Sequence, residues 1–242
     1  MVVRVDLELW ARDAGKAVGR GDLIIVIDAL RSGTSILNAL TKGAEVVIPA
    51  MSLKEAYRLR GQHSECLLAG ERGGRRPTGF DLGNSPLEFT SERVEGKTLV
   101  MTTTSGTAAL IRSQGARWVL VGAFLNARAV AGRAEEIAAR EGIGVSFVLA
   151  GEKGKFSVED FLCAGAIASG FAESRVDFSD KVQAALLAFK QAEGDLTRSV
   201  MRAEHAKHLV KLGFKEDIDF SCRLNVLRTV PTYGDGKIVL QE

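Results

Sequence analysis

The sequence predicts a three-layer α/β protein on a largely parallel or mixed sheet, either one layered unit or two packed α/β lobes. Three observations predict it. Short, β-branched apolar runs such as Leu-Ile-Ile-Val-Ile-Asp at residues 23–28 alternate along the chain with stretches of helical pattern. Those runs are apolar throughout, as strands covered on both faces are. No linker, low-complexity tract or internal repeat interrupts the βαβα succession, so residues 1–242 read as a single unit with no visible lobe boundary.

The elements follow in order. Residues 1–9 alternate apolar and polar side chains, a strand pattern. Residues 23–28 form a buried strand, and a helix of small residues starts at about Ser32. Residues 45–49 are the next strand, and Ser52-Leu-Lys-Glu55 is a capping box that opens a helix. A strand at 66–69 leads into a glycine-rich loop from Gly70 to about Asn84. Ser85-Pro-Leu-Glu88 reads as a second capping box, with Pro86 at the first helical position. Then come a strand at 98–102, a helix at 105–113, a strand at 118–122, an alanine-rich amphipathic helix at 126–141 and a strand at 144–150. Ser157 caps a helix reaching about Ala172, helices follow at 179–191 and 196–212, and the tail carries short strands at 225–230 and 237–240.

Composition excludes several function classes. With 46% hydrophobic and 26% charged residues the chain is ordinary globular material. The net charge of +2 and pI of about 8.4 fall short of the dense basic stripe that nucleic acid requires. Cys66, Cys163 and Cys222 are isolated and form no C-x-x-C pair, which argues against a disulfide framework or zinc site and for a reduced, cytoplasmic setting. No apolar run approaches the ~20 residues of a membrane span, and the N-terminus lacks the apolar core of a signal peptide. A homodimer is the default expectation for assembly.

In open α/β sheets ligands sit beyond the carboxyl ends of the strands, so the segments after the strands carry the candidates. Asp28-Ala-Leu-Arg31-Ser-Gly-Thr34 offers a metal-binding carboxylate, then an arginine able to fork onto an anion. The loop from Gly70 to Pro86 offers Glu71 and Asp81 as metal ligands, with Arg72 and Asn84 as anion contacts; glycines there let backbone approach a ligand closely. Thr102-Thr103-Thr104-Ser105-Gly106-Thr107 runs from a strand into a helix and has the hydroxyls and N–H groups of a phosphate cradle. Gly151-Glu152-Lys153-Gly154-Lys155-Phe-Ser157-Val-Glu159-Asp160 places carboxylates beyond another strand, suited to complete a Mg²⁺ site. Each segment also reads as local structure alone, as caps, a surface loop or acids in a first helical turn.

Other signals carry less. Gly154-Lys155-Phe156 lacks the hydroxyl residue of a P-loop, and Gly142-Ile-Gly144 is too short for a dinucleotide fingerprint. His205 and His208 stand at i and i+3 rather than the metal-binding i and i+4, among basic residues, and read as a solvated helix face. Leu30 stands where haloacid-dehalogenase-like phosphatases place a second aspartate. Isochorismatase-like cysteine hydrolases would need Cys163 as nucleophile, yet its small apolar neighbours read as core.

In their order, these segments resemble the 2-phosphosulfolactate phosphatase family. The matching motifs are Val26-Ile-Asp28-Ala-Leu-Arg31, Gly70-Glu71-Arg72-Gly73-Gly74, Gly79-Phe80-Asp81-Leu82-Gly83-Asn84-Ser85-Pro86, Thr102-Thr103-Thr104-Ser105-Gly106-Thr107, Gly122-Ala-Phe-Leu-Asn126-Ala127, and Ala150-Gly151 with Phe156-Ser157-Val-Glu159-Asp160. Asp217-Ile-Asp-Phe-Ser-Cys222 and Val230-Pro231 extend the likeness into the tail. Ser105 stands where the family usually has Asn, and Ser32-Gly33-Thr34 where it has Ala-Thr-Thr. The resemblance implies Mg²⁺-dependent hydrolysis of 2-phospho-3-sulfolactate to 3-sulfolactate and phosphate, a step towards coenzyme M. It implies a catalytic group of Asp28, Arg31, Glu71, Arg72 and Asp81, with Mg²⁺ held by some of Asp28, Glu71, Asp81, Glu159 and Asp160. Asn84, Ser85, Thr103, Thr104, Ser105, Gly106, Thr107 and Gly151 would contact the small anionic substrate. A phosphatase for another small phosphorylated acid, an isochorismatase-like hydrolase and a non-catalytic anion-binding protein are the alternatives.

Overall fold

The structure, a computed structural model, describes residues 2–63 and 65–240; Met1, part of the N-terminal strand expectation, lies outside them. The chain runs β1 (Val3–Glu8), α1 (Ala14–Gly19), β2 (Leu23–Ile27), α2 (Ser32–Thr41), β3 (Val46–Pro49), α3 (Leu53–Arg60), β4 (Leu67–Gly70), α4 (Ser91–Val94) and β5 (Thr98–Thr102). It continues through α5 (Gly106–Arg112), β6 (Val119–Gly122), α6 (Ala127–Glu141), β7 (Val145–Leu149), α7 (Val158–Ala168), β8 (Val176–Phe178) and α8 (Asp180–Ala192). It ends with α9 (Leu196–Val200), α10 (Glu204–Lys211), α11 (Lys215–Ser221), β9 (Pro231–Gly234) and β10 (Lys237–Leu240).

All ten strands join one mixed sheet in the order β4-β5-β3-β10-β9-β6-β2-β7-β1-β8. The blocks β4-β5-β3 and β6-β2-β7-β1-β8 are each parallel inside. The C-terminal hairpin β9–β10 lies between them and pairs antiparallel to β3 and β6. Its turn is Asp235-Gly236, both at positive φ, the backbone that a two-residue hairpin turn requires.

Alternate residues of β2 explain why its run is apolar throughout. Leu23, Ile25 and Ile27 pack with α6, α7 and α8 on one face. Ile24 and Val26 pack with α1, α2 and α5 on the other. Helices therefore cover both faces, as an α/β/α architecture demands. No helix among the described residues is long and apolar enough to cross a membrane.

Three local expectations are corrected. Ser85-Pro-Leu-Glu88 makes only a 3-10 turn at Pro86–Glu88: the Glu88 carboxylate accepts from the Gly83 N–H (2.9 Å), while the Ser85 hydroxyl donates to Asp217 (2.6 Å). The helix expected at 196–212 breaks into α9 and α10. At about 100° per residue an unbroken helix would turn Ala206 roughly 120° away from Val200, and both are buried in the same core. Residues 225–230 are not a strand; the N–H groups of Asn225 and Leu227 bond the carbonyls of Phe124 and Leu125. The edge strand β8 and the helix α11 were not anticipated.

Candidate active site

The two parallel blocks run in opposite senses, yet the residues just after β2, β4, β5 and β7 line one pocket. Sheet twist reconciles these facts. Five strand steps separate β5 from β2, and at roughly 20–25° per step the accumulated rotation turns the blocks' carboxyl ends towards each other.

What reads as a chain without internal repeat holds one short one, and it builds this pocket. Leu-Ala-Gly-Glu-Arg-Gly at 68–73 and Leu-Ala-Gly-Glu-Lys-Gly at 149–154 each carry a strand end into a tight turn. Arg72 bridges Arg75 in one turn and Glu152 bridges Lys155 in the other. Both turn glycines have positive φ, and a Cβ on Gly70 would stand 1.9 Å from the Thr102 carbonyl oxygen. The turns present Glu71 and Glu152 to the same cavity as Asp28.

The electrostatics are those of crowded acids. Asp28 is buried and accepts one hydrogen bond, from the Ser32 N–H (3.2 Å). Burial, then the charges of Glu152, Glu71 and Glu159, push its pKa to about 7 despite that bond. Asp160 is pushed well up by burial and by Asp28 and Glu159, although its oxygens accept from the N–H groups of Ala29 (2.8 Å) and Gly151 (3.0 Å). Glu71 behaves oppositely. Burial pushes it up, but hydrogen bonds from the N–H groups of Gly74 (2.8 Å) and Thr104 (2.7 Å) hold it below the usual range. Ser157 caps α7 by accepting from the Asp160 N–H (3.1 Å), and both acids of the first turn, Glu159 and Asp160, are buried.

The histidines set aside in the sequence belong here. His205 and His208, on α10, line the same pocket. His205 Nδ1 lies 3.2 Å from Glu159 and Nε2 lies 3.9 Å from Glu152. Burial lowers its pKa, but the surrounding carboxylates raise it by more. The sequence signal was present in the i, i+3 pair; its partner carboxylates, 46 residues or more away along the chain, were not visible.

Other candidates are placed differently. The Arg31 guanidinium lines the pocket but is committed to Asp217 (2.7 Å) and the Gly74 carbonyl (2.7 Å), beneath the ring of Phe214. Ser85 bonds the other oxygen of Asp217, which fastens the loop at 70–86 to α11. Arg72 donates to the Glu71 carbonyl and the Thr102 hydroxyl, away from the pocket. Asp81 also lies away from it: its carboxylate accepts from the Leu68 N–H (2.8 Å) and pairs with Arg60 (3.3 Å), pinning the loop to β4. Thr103 and Thr107 bond one another reciprocally, so much of the expected cradle is closed on itself. Thr103, Thr104, Ser105, Asn84 and Gly151 do line the pocket. Cys163 is fully buried in the helix-covered core, and burial holds its thiol well above the ordinary range, which removes the cysteine-hydrolase alternative.

Gly106 supports Asp28 from behind. A Cβ there would stand 2.3 Å from Asp28 Oδ2 and 2.6 Å from the Ser32 Cβ. Gly106→Ala is expected to destabilise the fold by about 1–3 kcal/mol through overpacking, read from the midpoint of denaturant unfolding. An unchanged midpoint would show that this contact yields freely.

The family model described as 2-phosphosulpholactate phosphatase matches residues 12–236. A Clostridium acetobutylicum protein named probable 2-phosphosulfolactate phosphatase is 35% identical over 240 residues, covering 98% of this chain and 100% of the relative. Proteins of the same name from Thermotoga petrophila and Thermotoga maritima are 39% and 40% identical, each covering 90% of this chain and 92% of the relative. The chain belongs to the 2-phosphosulpholactate phosphatase family.

Proposed function

We propose that this chain is a Mg²⁺-dependent phosphoric monoester hydrolase that converts 2-phospho-3-sulfolactate to 3-sulfolactate and phosphate, in a route towards coenzyme M. The observation that carries this reading is the convergence of Asp28, Glu71 and Glu152 at one pocket where the strands of both blocks end, with Glu159 and Asp160 near enough for their charges to couple to Asp28. The relatives' shared name supplies the substrate.

The residues fit a hard divalent cation. Their donors are oxygens, and the raised Asp28 carboxyl marks a site short of positive charge. Ser32 Oγ and Asn84 Oδ1 are buried beside it with no hydrogen-bond partner. Among the described residues no three His, Cys, Asp or Glu side chains already form a closed ligand cage. Mg²⁺ tolerates this, because it commonly takes one or two carboxylates and keeps several waters. Asp28 and Glu152 would hold it; Glu71 and Asp160 spend both oxygens on backbone N–H groups and brace the turns. When bound, the ion supplies charge neutralisation on the phosphate and an acidified water.

The chain's own groups do the positioning that phosphoryl transfer chiefly needs. Thr104 and Ser105 border the phosphate position. His205, bonded through Nδ1 to Glu159, would in its doubly protonated form, which the surrounding carboxylates favour, offer an Nε2 proton to the departing oxygen. The three cysteines are free and buried, which supports a cytoplasmic setting. The test is phosphate release from 2-phospho-3-sulfolactate before and after EDTA. A loss of at least about 100-fold, restored by Mg²⁺, is expected for a metal that neutralises the reacting group. Undiminished turnover in EDTA would remove the metal from this reading.

A further inference from the structure

The acid-lined pocket is too small and too negative to hold the whole substrate. Its cavity volume is about 20 Å³, room for one water-sized body. Its carboxylates repel any anionic group that does not reach a cation, and Arg31 is already paired with Asp217. A second cavity of about 370 Å³ shares the wall formed by Thr103, Thr104 and Ser105.

That neighbour has the opposite character. Arg12, Arg112 and Lys153 line it, and no acid does. Arg12 and Arg112 are exposed and join none of the ion pairs among the described residues. Lys153 is carried by the same turn as Glu152, and its N–H bonds the Ser105 hydroxyl (3.3 Å). The Arg12 guanidinium lies 4.8 Å from the ring centroid of Trp10, which holds it at the rim and adds an apolar flank.

We propose that this cavity is the subsite for the sulfonate of the substrate, with Arg112 and Arg12 as its principal cations and Lys153 closing it. The assignment rests on the reading of the acid-lined pocket as the metal site, with the phosphate at its mouth beside Thr104 and Ser105. A sulfonate stays ionised at all working pH values and is a weak metal ligand, so nothing in the carboxylate cluster attracts it. Guanidinium forks match its oxygens. The three-carbon substrate would lie across the wall at residues 103–105, phosphate on the acid side and sulfonate on the basic side. The two arginines thereby set specificity without touching the reacting atoms.

The test compares 2-phospho-3-sulfolactate with 2-phosphoglycerate, which carries a hydroxyl in place of the sulfonate and is otherwise the same. Arg112→Met is expected to raise KM for the sulfonated substrate about 10- to 100-fold, the range of a lost charge-assisted hydrogen bond, with kcat little changed. Its kcat/KM for 2-phosphoglycerate should stay within about threefold. Arg12→Met should act in the same direction. Equal losses on both substrates, or none on either, would overturn the subsite. Should the wild type hydrolyse neither substrate, the phosphatase reading fails by itself, and calorimetric titration with 3-sulfolactate decides the subsite. Saturable binding that Arg112→Met abolishes supports it, and no binding to the wild type overturns it.

Discussion

Replacing Asp217 by alanine is expected to cost about 3–5 kcal/mol of stability, the usual penalty for stranding one member of a buried ion pair. Arg31 and Asp217 are each about 2% exposed and lie 2.7 Å apart. The same carboxylate accepts from Ser85 Oγ (2.6 Å), so the substitution orphans a guanidinium and a hydroxyl together. For a chain of this length the melting temperature should fall by roughly 6–20 °C, followed by circular dichroism. The double variant Arg31→Met/Asp217→Leu should lose less, because no charge is left unpaired. A single-variant loss below about 1 kcal/mol would mean that the guanidinium finds another partner. It would then be available to the pocket as a fork for an anion, the role its sequence position suggests.

Why the sequence suggests that role shows where legibility stops. The strand ends were readable because a buried parallel strand is a local event: an apolar run stops and polar residues begin, as at Ile27-Asp28 and Thr102-Thr103. Ser52 and Ser157 were readable for the same reason, since a cap bonds an N–H only three residues on. Arg31 was not, because its partner lies 186 residues away, and neither pattern nor propensity encodes that distance. Asp81 and Arg72 have the residue types of a site, but their hydrogen bonds fix the loop to β4 and β5. Conversely, His205 and His208 have the pattern of a solvated face until the break after Val200 rotates α10 over the acids. The mixed sheet was foreseeable, but the C-terminal hairpin between two opposed parallel blocks was not; it depends on pairing between segments far apart in the chain.

Asp28→Asn should abolish turnover and yet stabilise the metal-free protein. The first effect follows if Asp28 holds the metal: kcat/KM should fall by at least about 100-fold. The second follows from proton linkage. The folded pKa of about 7 exceeds the ordinary 3.8 of the unfolded chain, so between those values the folded state holds a proton that the unfolded state has released. Stability therefore declines as pH rises from about 4 to 7, and the whole penalty, of order 4 kcal/mol, stands above pH 7. Asparagine carries no charge and relieves Asp160, whose carboxyl is pushed up partly by Asp28. In EDTA at pH 8 the variant should thus melt higher than the wild type, and the difference should vanish near pH 4. Added Mg²⁺ should raise the wild type by mass action and leave the variant nearly unmoved. A variant that melts lower than the wild type at pH 8 in EDTA would show that Asp28 is already compensated, and that the buried acids are a structural network rather than a cation site.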